Sequence, residues 1–337
     1  MRQAQKVALT ALGNALGERG YAFVTPTPET HRRVRARAER RAAAENRPLL
    51  ARTLRDVFGW NLPFDPAILP PPVLAACEAA DVLVPAATAP PTGAPVSAGS
   101  VTTQVRFSTL EGPAGRLMFA HSAYPTVETD AVFFGPDSYR FAAALARTVV
   151  KARRLVDVGC GAGVGGLLLA PRAEEVVLAD VSPRALELAG VNAGLLGNAA
   201  SAAVHLCESD VLGGVRGDFD VVIANPPYLV DAAPGRAGRL YRDGGGPLGI
   251  ELAVRIVTES LARLGAARGG QLVLYTGVPI IEGRNVLEDR LAATLRAGAA
   301  RWRWEALDPD VFGEELDGPA YEDTERLAVM LLTAEVD

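Results

Sequence analysis

Short apolar strands alternate with amphipathic helices from about Thr129 to the end of the chain. Such alternation predicts βαβ units with right-handed crossovers, and therefore a doubly wound, mostly parallel, Rossmann-like α/β sheet. Ligands of such sheets bind beyond the carboxyl ends of the strands, so we expect functional residues there. The strand-like runs are RLVDVGC, EEVVLADV, AVHLCESD, FDVVIANPP and GGQLVLYTG, and the helix-like runs are SPRALELAGVNAGLLG, GIELAVRIVTESLARLG and GRNVLEDRLAATLRAG. Ser182 and Pro183 fit the N-cap and first position of the first of these helices.

The rest of the chain predicts two smaller regions and a closing segment. Helical patterns separated by proline-rich breaks fill the first part of the chain. A linker rich in Pro, Ala, Gly and Ser follows, and then two β-rich runs flank the turn-like EGPAG and predict a hairpin. The last residues should add antiparallel strands, around an acidic loop, GEELDGPAYED, that fits no motif. We therefore predict a helical domain over 1–90, a linker and β-hairpin over 91–128, and the α/β domain over 129–337.

Composition excludes several classes of protein. The chain has 337 residues, of which 49% are hydrophobic and 22% charged, and no run reaches the roughly 18 apolar residues of a membrane helix. With its polar start, MRQAQK, it is expected to be a cytoplasmic protein without a membrane partner. Its three cysteines and three histidines are scattered, so neither disulfides nor a metal site is expected.

The net charge of −5 argues against a broad positive field for nucleic acid. One local exception is HRRVRARAERR, His31–Arg41, which is rich in arginine and has helical propensity. We interpret it as a solvated helix face. A docking surface for RNA or for an acidic protein is the alternative.

A glycine-rich turn, VDVGCGAGVGG, follows the first strand of the α/β domain. Glycine has no Cβ, so a ligand can approach the backbone closely, and an adenine-nucleoside cofactor is the natural occupant. Gly161, Gly163 and Gly166 alone satisfy the dinucleotide pattern G-x-G-x-x-G, and Asp180 could hold a ribose of either NAD or another nucleoside. Asp157, two positions before the first glycine, extends the pattern to D-x-G-x-G-x-G.

A fourth strand, FDVVIA, brings Asn225, Pro226, Pro227 and Tyr228 to the same edge of the sheet. A planar NH₂ group is a poor nucleophile because its lone pair is delocalised. Acceptors on both of its hydrogens favour rehybridisation, and the Asn225 side-chain oxygen and the Pro226 carbonyl can form that pair. The prolines fix φ and add no competing N–H, while Tyr228 can stack on a flat amide or base.

Together, D-x-G-x-G-x-G and NPPY resemble class I S-adenosylmethionine-dependent methyltransferases that act on the glutamine amide, adenine N6 or guanine N2. The resemblance implies S-adenosylmethionine as the cofactor, with Asp157 near its amino group, Asp180 on the ribose hydroxyls and Asp210 beside the adenine amino group. NPPY would be the catalytic motif. The full set of cofactor-contacting residues implied is Asp157, Gly159, Cys160, Gly161, Gly163, Asp180, Val181, Asp210, Val211 and Asn225.

Two further segments, DAVFFGPDSYRFAAAL and YRDGGGPLGIELAVRIV, resemble elements of the release-factor type of protein glutamine-N5 methyltransferase. That family also carries a helical N-terminal domain that docks the protein substrate. The resemblance implies a protein glutamine as methyl acceptor, in a release factor or a ribosomal protein. Adenine or guanine in rRNA or tRNA is the alternative with the same chemistry. An NAD-binding oxidoreductase or a cofactor-binding protein without catalysis is the alternative of another class.

Overall fold

The computed structural model describes residues 1–86, 99–112, 115–197, 202–231, 238–264 and 269–337. The chain divides into two compact units. Unit 1 comprises Met1–Val127, Val132–Tyr139 and Gly190–Gly197, and unit 2 comprises Glu128–Ala131, Arg140–Ala189 and Asn198–Asp337. Unit 1 contains the hairpin together with the N-terminal helices, and the division into three regions stays a prediction. The predicted boundary near residue 90 and most of the predicted linker lie outside the described residues.

Unit 1 contains the predicted N-terminal helices and the predicted hairpin. Its helices are α1 (Gln3–Gly17), α2 (Pro28–Ala44), α3 (Leu54–Phe58) and α4 (Pro71–Ala80), and its strands are β1 (Leu83–Pro85), β2 (Val101–Thr103), β3 (Val105–Gly112) and β4 (Gly115–Ser122). Strands β1 and β2 pair antiparallel, and β3 and β4 form the hairpin with Val105 opposite Ser122. Its core contains the fully buried Leu9, Leu12, Phe58 and Phe107.

The basic segment lies on α2, as its helical propensity predicted. Thr27 caps this helix, because its side chain accepts a hydrogen bond from the backbone N–H of Thr30 at 3.1 Å. His31, Glu39 and Ala42 form the buried face. The exposed arginines of α2 therefore lie on the opposite face.

Unit 2 is built around the large sheet. Its strands are β5 (Ala152–Val158), β6 (Ala173–Asp180), β7 (Ala203–Glu208), β8 (Val221–Ala224), β9 (Gly270–Ile281), β10 (Arg284–Asn285), β11 (Arg301–Asp308) and β12 (Arg326–Val336). Its helices are α5 (Pro136–Thr148), α6 (Val164–Leu169), α7 (Pro183–Leu196), α8 (Glu251–Leu264) and α9 (Val286–Gly298). The start of α5, up to Tyr139, and the end of α7, from Gly190, are assigned to unit 1.

The sheet order is β11-β12-β9-β8-β5-β6-β7, with β10 paired to β9. Strands β5 to β9 run parallel, whereas β12 is antiparallel to both β9 and β11. The predicted doubly wound sheet with antiparallel C-terminal strands is confirmed. The chain builds outward from β5 through β6 and β7, and then resumes on the other side of β5 with β8 and β9. The direction of winding thus reverses between β5 and β8, which is where open α/β sheets bind ligands.

The register places two predicted motifs side by side at this reversal. Val158, the last residue of β5, is paired with Ala224, the last residue of β8. Neighbouring strands lie about 4.8 Å apart. The residues that follow, Gly159 and Asn225, therefore leave the sheet at adjacent positions.

Two kinds of feature are absent from the described residues, a membrane-spanning helix and a metal cluster. None of the helices located there has both the length and the apolar character needed to cross a bilayer. Within the same portions, no three His, Cys, Asp or Glu side chains are grouped so that they could hold a metal ion.

Candidate active site

The glycine turn after β5 presents bare backbone to open space. Gly159, Gly161 and Gly163 have φ of +66°, +53° and +79°, a region that other residues rarely adopt. A Cβ built on Gly159 or Gly161 would meet no atom within 4 Å. Space for a ligand therefore exists against the backbone at these two positions.

The later glycines of the turn serve the packing of α6 on the sheet. A Cβ on Gly166 would lie 2.4 Å from Leu178 Cδ2 of β6, and a Cβ on Gly165 would lie 2.7 Å from Phe141 Cε1. Both distances are too short for a real contact. The two glycines thus allow the first turn of α6 to lie close to its neighbours, so their role differs from that of Gly159 and Gly161.

Asp157 lies beneath the glycine turn and is only 1% exposed. Its Oδ2 accepts a hydrogen bond from the backbone N–H of Gly166 at 2.8 Å, which ties β5 to the start of α6. Burial raises the pKa of Asp157 to about 7, the Gly166 N–H acts in the opposite direction, and the Asp180 charge adds to the rise. The predicted contact of Asp157 with a cofactor stays a prediction.

Asp180 ends β6 and is joined directly to the glycine turn. Its Oδ2 accepts from the Gly161 N–H at 2.9 Å and its Oδ1 accepts from the Ser182 N–H at 2.8 Å. Burial raises the pKa of Asp180, and these backbone N–H groups lower it again. The backbone N–H of Val181 also acts on this carboxylate, and a carboxylate has about four lone-pair sites, more than these three donors fill. Asp180 therefore combines a fixed orientation with remaining acceptor capacity.

Two predicted cofactor-binding residues lie near Asp180, the exposed Val181 and the buried Cys160. Val181 is 53% exposed, which is unusual for a large aliphatic side chain at a strand end in the middle of a sheet. Cys160 is buried, its backbone N–H donates to the Ala179 carbonyl at 3.0 Å, and burial raises the pKa of its thiol well above the usual value. The side chain of Val181 is thus available to a ligand and the Cys160 thiol is neutral and buried, while the predicted cofactor contacts of both residues stay predictions.

Asp210 lies past the end of β7, at the same edge of the sheet. Its side chain is 67% exposed and forms an ion pair with Arg255 of α8, with Nη2 to Oδ2 at 3.0 Å. Val211 is buried and has φ of +50°. The predicted residues at the ends of β5, β6, β7 and β8 are therefore all brought to one edge, with Asp210 two strands away from Gly159.

The side chain of Asn225 is half-buried and makes no hydrogen bond to any residue in the described ranges. The main chain that follows it is held on both sides. Leu229 N–H donates to the Arg242 carbonyl at 3.0 Å, and Gly244 N–H donates to the Leu229 carbonyl at 2.9 Å. The amide of Asn225 thus keeps its acceptor capacity on a loop whose backbone is fixed.

The glycines of DGGGPLG, Asp243–Gly249, explain how that backbone is fixed. A Cβ on Gly244 would lie 1.9 Å from the Gly249 carbonyl oxygen and 2.8 Å from the Pro227 carbonyl oxygen. A Cβ on Gly249, where φ is +73°, would lie 2.6 Å from the Tyr228 carbonyl oxygen. This segment therefore packs backbone against backbone on the NPPY residues.

Tyr228 is 6% exposed, so little of its ring is available for stacking on a substrate. The ring lies over Gly277 of β9 and is tilted by 57° against Phe312, with 6.1 Å between the ring centroids. The predicted stacking on a substrate stays a prediction. The structure shows a packing role for the ring in addition.

An ionic network that we did not predict surrounds the residues after NPPY. Asp231 forms ion pairs with Arg239 and with Arg242, whose Nε lies 2.9 Å from Oδ1, and Arg242 also pairs with Glu315. Hydrogen bonds from Arg239 hold the pKa of Asp231 well below its usual range, although partial burial opposes the shift. One signal in the sequence could have indicated this network. The C-terminal loop GEELDGPAYED is acidic, whereas Arg239 and Arg242 follow NPPY.

Parts of this chain are similar in sequence to known methyltransferases. Residues 127–243 match the family model described as methyltransferase small domain. The release factor glutamine methyltransferase of Deinococcus radiodurans is 34% identical over 175 residues, which cover 49% of this chain and 57% of that protein. The ribosomal RNA small subunit methyltransferase C of Chromohalobacter salexigens is 32% identical over 126 residues, which cover 36% of this chain and 31% of that protein.

Among solved structures, the T. thermophilus 16S rRNA N2 G1207 methyltransferase in complex with AdoMet and guanosine has a TM-score of 0.44 and 19% identity, and the match covers 71% of this chain and 55% of that one. The chain spans less than two thirds of the length of each of these proteins. The match of residues 127–243 to this model agrees with the methyltransferase expected from the motifs.

Proposed function

We propose that this chain, whose residues 127–243 match the family model described as methyltransferase small domain, is an S-adenosylmethionine-dependent N-methyltransferase of planar amino groups. The observation that carries the proposal is the pairing of Val158 with Ala224. It makes the glycine turn and Asn225 neighbours, so a cofactor on the turn and an amino group on Asn225 would be adjacent.

The residues around the glycine turn fit the proposed cofactor. The backbone at Gly159 and Gly161 borders open space that a Cβ would occupy. The Asp180 carboxylate keeps acceptor capacity beyond its backbone N–H donors, which suits a ribose hydroxyl. Val181 offers an exposed apolar surface next to that carboxylate, which suits the face of an adenine ring. S-adenosylmethionine supplies an electrophilic methyl group on a sulfonium centre.

This chain's own contribution to the reaction is to hold the acceptor nitrogen. The Asn225 Oδ1 and the Pro226 carbonyl accept its two N–H hydrogens and favour its rehybridisation. The prolines and the contacts of Gly244 and Gly249 hold these acceptors before the substrate arrives, so no reorganisation is needed at the moment of transfer. The proton can leave after the transfer, because the methylated nitrogen is then acidic.

A protein glutamine is the acceptor that we favour. The segment from Tyr241 to Val257 has the pattern of the glutamine-N5 methyltransferases, and it contacts NPPY as described above. The loop that contacts the residues after NPPY also exposes carboxylates, and these would repel the phosphates of a nucleic acid but not a neutral amide. They are Glu314, Asp317, Glu322 and Asp323.

A base in rRNA or tRNA is the second candidate, and α2 favours it. This helix carries six arginines and two glutamates in a chain with a net charge of −5. Arg37, Arg40 and Arg41 are exposed and form no ion pair with any residue that the structure describes. They project from the side opposite the buried face, which suits contacts with a phosphate backbone.

Transfer of radiolabelled methyl groups into a cell extract, with the product split by protease and by nuclease, separates the two candidates. Label lost only to protease supports the glutamine, and label lost only to nuclease supports the base. Asn225→Ala should abolish transfer while S-adenosylmethionine still binds, as measured by isothermal titration. Asn14→Ala, an exposed position on α1, is the matched control and should transfer normally. Full activity of Asn225→Ala would refute the proposed role of NPPY.

A further inference from the structure

The segment Phe312–Tyr321, here called the 312–321 loop, connects β11 with β12. Two short 3₁₀ turns, Gly313–Asp317 and Pro319–Tyr321, shape it. The connection is fixed to the sheet on both sides of this loop, because Val311 N–H donates to the Leu327 carbonyl at 2.8 Å and Glu325 N–H donates to the Ile280 carbonyl at 2.9 Å. The middle of the loop makes its contacts elsewhere.

One contact joins the loop to the main chain just after NPPY. The backbone N–H of Val230 donates to the Tyr321 hydroxyl at 3.0 Å. Tyr321 is 3% exposed, and burial raises the pKa of its phenol, so the hydroxyl stays neutral. The hydroxyl of Tyr321 therefore holds the backbone two residues beyond Tyr228.

A second contact is ionic. Glu315 pairs with Arg242, and Arg242 in turn pairs with Asp231. Arg242 also offers its backbone carbonyl to the Leu229 N–H at 3.0 Å. The side chains of Glu315 and Arg242 are 18% and 20% exposed, so this pair is less screened by solvent than a surface pair. Glu315 thus acts on the same stretch of backbone as Tyr321.

The third contact is aromatic. Phe312 lies beside Tyr228 and remains half-buried, so part of its ring is accessible. Its backbone has φ of +54°, which is unfavourable for an aromatic residue and persists only where the surroundings enforce it. The accessible ring therefore has a fixed position next to the NPPY aromatic residue.

The three contacts are made with Tyr228 of NPPY and with Val230 and Arg242, which follow it, although Val230 and Tyr321 are 91 positions apart in the chain. We propose that the 312–321 loop forms the acceptor side of the active site. Phe312 contacts the planar group that receives the methyl, while Tyr321 and Glu315 are positioning residues that hold the backbone carrying Asn225 and Tyr228. This inference rests on the proposed function.

Tyr321→Phe tests the positioning role, because it removes the acceptor hydroxyl and keeps the ring. Hydrogen exchange of a peptide covering residues 226–231 should become at least tenfold faster. Activity is measured on the fraction of the extract that the wild-type enzyme labels. The kcat for methyl transfer into that fraction should fall about tenfold. Its apparent KM and the Kd of S-adenosylmethionine should both stay within twofold of the wild-type values. Tyr139→Phe is the matched control, since its hydroxyl accepts the Thr25 N–H at 3.0 Å in unit 1. It should leave exchange over 226–231 unchanged.

Phe312→Ala and Phe312→Leu test the contact with the acceptor. The alanine variant should raise the apparent KM for the same fraction at least fivefold, and leucine should restore part of the loss, while the Kd of S-adenosylmethionine stays constant. Unchanged exchange in Tyr321→Phe, or an unchanged KM in Phe312→Ala, would overturn the inference. The exchange experiment needs no substrate, so it reports on the loop even if the wild type transfers no methyl group and the proposed function fails.

Discussion

The aromatic ring of Tyr228 lies directly over the α-carbon of Gly277. A Cβ at position 277 would lie 2.2 Å from Cδ2 and 2.3 Å from Cε2 of that ring, far inside any real contact. Gly277 belongs to β9, the neighbour of β8, whose last residue precedes Asn225. The absence of a side chain on one strand therefore sets how closely the loop from the next strand can approach the sheet.

We expect Gly277→Ala to displace the NPPY loop, because the ring of Tyr228 is enclosed and cannot move without its backbone. Methyl transfer should fall at least tenfold and the free energy of unfolding by about 1–3 kcal/mol, as for other overpacked sites. The Kd of S-adenosylmethionine, measured by titration calorimetry, should change little. Gly17→Ala, at the end of α1, is the control, since a Cβ there has its nearest contact outside its own helix at 3.9 Å, with Met118 Cε, and it should retain transfer. Normal transfer by Gly277→Ala would show that the position of Tyr228 is unimportant.

Gly161→Arg should abolish binding of S-adenosylmethionine by filling the open space against the turn. The strain of a positive φ alone could also destabilise the variant, so Gly269→Arg provides the comparison. Gly269 has φ of +76° with equally open surroundings, and it lies at the amino end of β9, at the opposite edge of the sheet. We expect the Gly269 variant to bind normally. Equal affinity of both variants would place the cofactor elsewhere.

The positions of the motifs could be predicted from the sequence, because apolar runs end where parallel strands end and those ends share one edge. The burial and the contacts of the individual side chains could not be predicted from the sequence. Asp157 has the spacing of a ligand-contacting acid, but its burial depends on the approach of α6, which Gly165 and Gly166 permit. Similarly, Tyr228 is covered because residue 277, some fifty positions later, is a glycine.

The C-terminal loop shows the same limit more strongly. Its acidic residues matched no motif, and nothing local in the sequence relates Tyr321 to Val230. Their contact depends on β12 returning antiparallel beside β9, which brings the connection from β11 to the edge where β8 ends. Pairings between residues this far apart follow from the topology of the whole sheet and not from the periodicity of any one element.

Substituting Arg37, Arg40 and Arg41 together by glutamine should separate the two candidate substrates. The three side chains lie on the exposed face of α2, so the change should alter the free energy of unfolding by no more than about 0.5 kcal/mol per site. If a protein glutamine is the acceptor, as we favour, methyl transfer should stay within twofold of wild type at low and at moderate salt. A fall in transfer that is large at low salt and shrinks as salt is added would instead identify phosphate contacts and support a base.

Asp157→Asn should remove part of the dependence of the free energy of unfolding on pH. The pKa of Asp157 is about 7 in the folded protein, against 3.8 as the ordinary value, so the folded state binds a proton more tightly than the unfolded state does. Its contribution to stability is therefore complete below about pH 4 and is lost as the pH rises towards and through 7. Each pKa unit corresponds to about 1.4 kcal/mol, so the loss amounts to a few kcal/mol at most.

Asparagine keeps a side-chain oxygen for the Gly166 N–H but carries no proton to lose. Urea unfolding at pH 5 and at pH 8 should therefore show a smaller loss of stability with rising pH in Asp157→Asn than in the wild type. The exposed Asp218 supplies the control, because Asp218→Asn should follow the wild-type curve. Parallel curves for Asp157→Asn and wild type would mean that this carboxyl group is charged in the folded protein at neutral pH, and that solvent or a hydrogen-bond donor compensates for its burial beneath the glycine turn.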